Sequence, residues 1–179
     1  MRLYGITMFV HILGVIALFG GFAMQQRAGV RLRAATRAEQ ALSWAAVLDM
    51  TRPMVPSGAV MLLVTGAVLV SRLGPGAPPV WVPVAAVTVL GVGLAAWLVV
   101  NRGIGAIAGA LLEHEGELSA EARRRIGSAR LWATLAATNG AALGTLWLMT
   151  NKPGVVESLV AVLLPAAVGA IVGARLASR

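Results

Sequence analysis

The chain has 179 residues, of which 58% are hydrophobic and 12% charged, with a formal charge of +8 and no cysteine. Soluble domains carry about 45–50% apolar and about 25% charged residues, so this composition excludes an ordinary soluble domain. A chain without cysteine has no disulfide, thiolate metal site, cysteine nucleophile or Fe–S cluster.

A bilayer-crossing helix needs about 20 apolar residues. Five runs qualify, near residues 3–25, 53–72, 80–101, 131–150 and 156–175, and none shows the alternation of a barrel strand. The expected fold is all-α, a polytopic membrane bundle of five transmembrane helices forming a single domain over 1–179. The positive charge sits between the runs, which fits membrane topology and argues against a nucleic-acid partner.

The first run, Leu3 to Met24, is too long for the apolar region of a signal peptide, and no small-residue cleavage site precedes its arginines. It is therefore expected to stay as a span. His11 lies inside it, about 12 Å from its outer end at 1.5 Å per residue. An ionisable residue at membrane depth is expected to face a partner helix, a cofactor or a cavity. Met8 shares its face, three residues earlier. Gly20-Gly21 offers a place for another backbone to come close.

Past Arg27, Arg31 and Arg33, Thr36 and Glu39 have capping-box spacing, which predicts a new helix running along the interface before entering the membrane. Pro53 and Pro56 should kink it, since each lacks a backbone donor. Asp49 and Arg52, three apart, are placed to pair at the interface. Thr65-Gly66 follows in the second span, and the proline-rich turn 72–79 ends it. Trp81 should anchor the third span at a headgroup layer. Helices three and four are expected to extend beyond the bilayer as a cytoplasmic hairpin, with Ser119 capping and Glu113, Glu115, Glu117 and Glu121 balancing Arg123 to Arg125. The fourth span carries Thr138 and Asn139, for which interhelical hydrogen bonding is the default, and Gly140-xxx-Gly144. The fifth carries Gly169-xxx-Gly173, and such spacing marks close helix packing.

With the N-terminus outside, eleven basic residues fall in inner segments and three in outer ones, so the expected topology is N-out/C-in. Met149 and Lys152, at the end of the fourth span, then share the outer half with His11 and Met8, while His114 lies on the other side. That arrangement disfavours a bis-histidine haem. His11 can ligate haem iron, with Met149 or Met8 as a second ligand, or help form a copper path with Met8 and Met149, or simply pack. No phosphate loop, carboxylate pair or hydrolase triad is present. Possible partners are lipid, a second copy, or other membrane subunits.

Three stretches together resemble a known group: FVHILGVIALFGG in the first span, Leu63 to Gly66 (LVTG) in the second, and Leu146 to Gly154 (LWLMTNKPG) closing the fourth. They resemble bacterial integral-membrane proteins that include the CopD copper-resistance membrane domain, the HemJ protoporphyrinogen oxidases and a related family of unknown function. The resemblance covers about residues 3–154. It implies an inner-membrane location and a first-helix histidine associated with haem b, here His11. It also implies a Lys-Pro at the end of the fourth helix, here Lys152-Pro153, where Lys152 could neutralise a propionate. The aromatic segment that follows the HemJ histidine is replaced here by Gly20-Gly21, and a fifth helix is added. The CopD likeness implies copper handling, although no cluster of histidines and methionines lies outside the spans.

Overall fold

The computed structural model describes residues 2–74, 76–112 and 116–177, and those residues are helical with no strand. The expected Glu113 and Glu115 pairs and the placement of His114 lie outside the described residues.

Helix α1 (Arg2–Arg33) is longer than the predicted span. Its 32 residues make about 48 Å of helix against about 30 Å of hydrocarbon. Arg27, Arg31 and Arg33 therefore ride on a helical extension, because nothing in that stretch breaks the helix. Helix α2 (Ala38–Thr51) does not start with the expected capping box. Arg37 is its N-cap residue, and the Ala38 N–H donates to the Gly116 carbonyl at 2.8 Å. The Thr36 N–H donates instead to Gln40 Oε1. A tertiary backbone partner has replaced the local side-chain cap. The buried face of α2, Ala38, Ala41, Ala45 and Leu48, belongs to a helix that packs on α1 and on α5 (Asn101–Leu112).

The prolines break this helix as expected. It stops at Thr51 and resumes as α3 (Met54–Val70), with Pro53 at the junction. Asp49 and Arg52 pair at 2.8 Å, both substantially exposed. Pro56 cannot donate to the Arg52 carbonyl four residues back. Asn101 Nδ2 fills that vacancy at 3.3 Å.

Gly74 and Gly76, at φ of 98° and 142°, shape the turn into α4 (Trp81–Ala95). A π turn (Ala96–Val100) then joins α4 to α5 without interruption. The hairpin expected between helices three and four is only half met. Helix three does extend, but helix four does not. Instead a separate short helix α6 (Ala120–Ile126) is capped by Ser119 Oγ, which accepts from the Ala122 N–H. Glu121 pairs with Arg124 and Arg125. Gly127 ends α6, and Ser128 caps the start of α7 (Ala129–Asn151).

Asn139 Nδ2 and Thr138 Oγ1 both donate to the Leu135 carbonyl. Their expected interhelical bonds are therefore not made, because their own helix supplies an acceptor. Helix α8 (Val155–Ala177) lies along α7, and here the glycine spacing is used. A Cβ on Gly140, Gly144, Gly169 or Gly173 would run into the backbone of the facing helix. Pro165, inside α8, leaves the Ala161 carbonyl without its helical donor. Gly144 sits on that oxygen, a contact suited to a Cα–H···O interaction.

Four stretches are long and apolar enough to cross a membrane: Arg2–Arg33, Ala38–Val70, Trp81–Leu112 and Val155–Ala177. Helix α7, with 23 residues, has the length but a more polar composition. Large apolar side chains such as Ile6, Phe9, Val64, Leu90, Leu163 and Ile171 are exposed on the outer faces. In water so extensive an apolar surface is untenable, whereas a bilayer solvates it. This is a membrane protein built as a helical bundle.

Two main cores divide its length, beside a small cluster of Ala85, Leu148 and Val162. One joins Leu18 and Phe22 of α1 to Val55 and Leu62 of α3 and Val89 of α4. The larger gathers at the arginine-rich end, around Leu32, Leu48, Ile104, Ile107 and Trp132.

Candidate functional site

Glycines bring α1 against α3. A Cβ on Gly58 would lie 2.9 Å from the Gly14 carbonyl oxygen, and one on Gly21 would lie 3.0 Å from Met54 and Val55. Gly20, in contrast, has only the end of Met54 nearby. Of the Gly20-Gly21 pair, one residue makes the close approach. This packing sets His11 opposite Thr65, with His11 Nδ1 2.8 Å from Thr65 Oγ1. The Thr65 hydroxyl also donates to the Met61 carbonyl, one turn back on α3.

The imidazole also lines a cavity of about 240 Å³. Its walls are nearly all apolar and come from four helices: His11 on α1, Leu62 and Gly66 on α3, Trp81 and Ala85 on α4, and Met149 on α7. The cavity is partly open. No hydrogen bond reaches His11 Nε2 from the described residues. A Cβ on Gly66 would stand 3.8 Å from His11 Cε1, the carbon between the two ring nitrogens. Thr65 thus holds Nδ1, while Gly66 leaves space beside Cε1.

The sequence-predicted residues divide cleanly. His11 and Met149 line the same cavity, whereas Met8 and Lys152 do not. Met8 is half-buried on α1. Lys152 is exposed and forms the left-handed end of α7 at φ 51°, three residues beyond Met149. Among the described residues no group of three His, Asp or Glu comes together to hold a metal ion. Thr65 as the partner of His11 and Gly66 and Trp81 as cavity walls were not assigned to the site from sequence. The only signal for them was the Thr-Gly pair at membrane depth and a tryptophan opening a span.

No family model, curated protein or solved structure matches this chain. The likeness to the CopD and HemJ groups rests on the sequence motifs alone.

Proposed function

We propose that this chain is a bacterial inner-membrane protein that binds haem b or a related porphyrin through His11. The observation carrying this reading is an imidazole that is anchored at Nδ1 by Thr65, has no partner at Nε2 among the described residues, and lines an apolar cavity. Metal-binding histidines commonly have their second ring nitrogen fixed in this way. The donor chemistry fits a porphyrin metal, with Met149 on the same cavity as a candidate second ligand. The volume fits less completely. Ligand pockets usually measure about 300–1,000 Å³, so a cavity of about 240 Å³ would enclose only part of a macrocycle. Lys152, near the same end of α7, is the cation available to a propionate. Bound iron would supply redox chemistry. The protein's own part is to orient the imidazole and exclude water.

The competing reading is a non-catalytic subunit, or a conduit for copper or small solutes, in which His11 packs or relays. It is weakened because the glycine seams are already filled by this chain's own helices. For copper, Met8 does not join His11 and Met149 at the cavity. An absorption spectrum of protein purified after expression with supplied haem separates the two. The porphyrin reading expects a Soret band that His11→Ala abolishes, and colourless wild-type protein would remove it.

The charge distribution supports an N-out/C-in orientation. A membrane-impermeant thiol reagent on intact cells should label a cysteine at Gly76 and spare one at Gly116. The chain carries no other cysteine to confuse the result. The reverse pattern would invert the topology.

A further inference from the structure

The hydrogen-bond pattern around Thr65 constrains the protons as well as the position of His11. A threonine hydroxyl has one proton to donate and lone pairs with which to accept. The Met61 carbonyl can only accept, so the Thr65 proton is committed to it. The contact between His11 Nδ1 and Thr65 Oγ1 must then be donated by the ring, from Nδ1–H. A neutral imidazole carries a single N–H, which leaves Nε2 as a bare lone pair.

We propose that Thr65 acts as a positioning residue that fixes His11 in its Nδ1–H form, so that His11 offers a ligand in the cavity a lone pair and no proton. This rests on the reading of the cavity as a ligand site and states what chemistry the site demands. Two classes share that chemistry. One is the metal of a porphyrin, and the other is the proton of a hydroxyl on a lipid-soluble alcohol, phenol or quinol. A molecule offering only carbonyl oxygens, such as a quinone, finds no donor on His11. Of the other walls, Leu62, Gly66, Ala85 and Val89 bring no polar side chain to the cavity and the Met149 thioether has no proton to give, so a carbonyl oxygen would have to turn to the Trp81 indole N–H rather than to His11.

Nitrogen NMR on protein labelled with ¹⁵N-histidine tests the proposal. The chain has two histidines, so His114→Gln leaves His11 as the only signal. Without ligand, Nδ1 should carry the proton and Nε2 should be bare. Thr65→Ser should preserve this form. Thr65→Val, which keeps the shape but loses the hydroxyl, should abolish the preference and weaken haem binding about 10–100-fold. Haem or a short-chain benzoquinol should move the Nε2 resonance, while the matching benzoquinone should not. A wild-type ring protonated at Nε2, or at both nitrogens, would overturn the proposal, as would a Thr65→Val ring that is unchanged. If the ring is Nδ1–H but neither haem nor quinol moves it, the ligand reading and its selectivity fall while the tautomer assignment stands.

Discussion

Gly144→Val should drive α8 away from α7 and destabilise the protein by about 3 kcal/mol, near the upper end of the usual overpacking range. Even the first added carbon would overlap the Ala161 backbone, and a backbone cannot swing aside as a flexible side chain can. The insult also falls where Pro165 has left the Ala161 carbonyl without a helical donor and Gly144 packs against that oxygen. Few residues of α8 are fully buried, Ser158, Val162 and Gly173 among them. Loss of the seam therefore leaves α8 little else to hold it. Thermal melting in detergent measures the effect, with Gly91→Ala as control because nothing lies within 4 Å of a Cβ there. A Gly144→Val protein that melts with the wild type would mean that the two helices do not meet as described.

Trp132→Ala should cost about 3–5 kcal/mol, the usual range for emptying a buried aromatic site. Trp132 is 3% exposed within the larger core, and its indole N–H donates to the Ile126 carbonyl at 2.6 Å. The Arg33 guanidinium lies 4.5 Å from the ring centre, a cation–π geometry that ties the end of α1 to α7. Gly29 lies so close to the ring that a Cβ there would collide with it. Trp132→Phe should recover much of the packing but leave the Ile126 carbonyl without its donor. Melting curves of the two variants separate the terms: equal losses would show that the ring packing adds nothing, and a Trp132→Phe protein that melts with the wild type would show that the hydrogen bond adds nothing.

The membrane class and the helices were legible because they follow from apolar runs and strong breakers. Pro53, Pro56 and Ser119 act locally, through a missing donor or a cap, and local chemistry is visible in a sequence. Helix α2 starts within a residue or two of where Thr36 and Glu39 placed it, but its cap was misjudged because the partner is Gly116, far away in the chain. The role of Asn101 was hidden for the same reason, since the carbonyl it satisfies belongs to Arg52. The π turn before it left no recognisable signal. At the site, His11 stood out because an ionisable residue is rare in an apolar run. Thr65 could be suspected only of bonding some helix, because which helix depends on how Gly14 meets Gly58. The grouping of Met8, His11, Met149 and Lys152 rested on topology, which sorts residues by depth but not by direction. Depth was enough to put Met149 with His11, and too coarse to show that Met8 and Lys152 miss the cavity.

The central claim is that a ligand occupies the cavity beside His11, and haem titration of Gly66→Leu tests it most directly. Gly66 lines the cavity, and a Cβ there meets only ordinary contact with His11 Cε1. A leucine at this position therefore fills the space while leaving His11, Thr65 and their hydrogen bond intact. Haem affinity should fall at least about tenfold, equivalent to about 1.4 kcal/mol, with no loss of melting temperature. Wild-type affinity in a Gly66→Leu protein that melts normally would contradict the account, because the ligand would then be bound somewhere else.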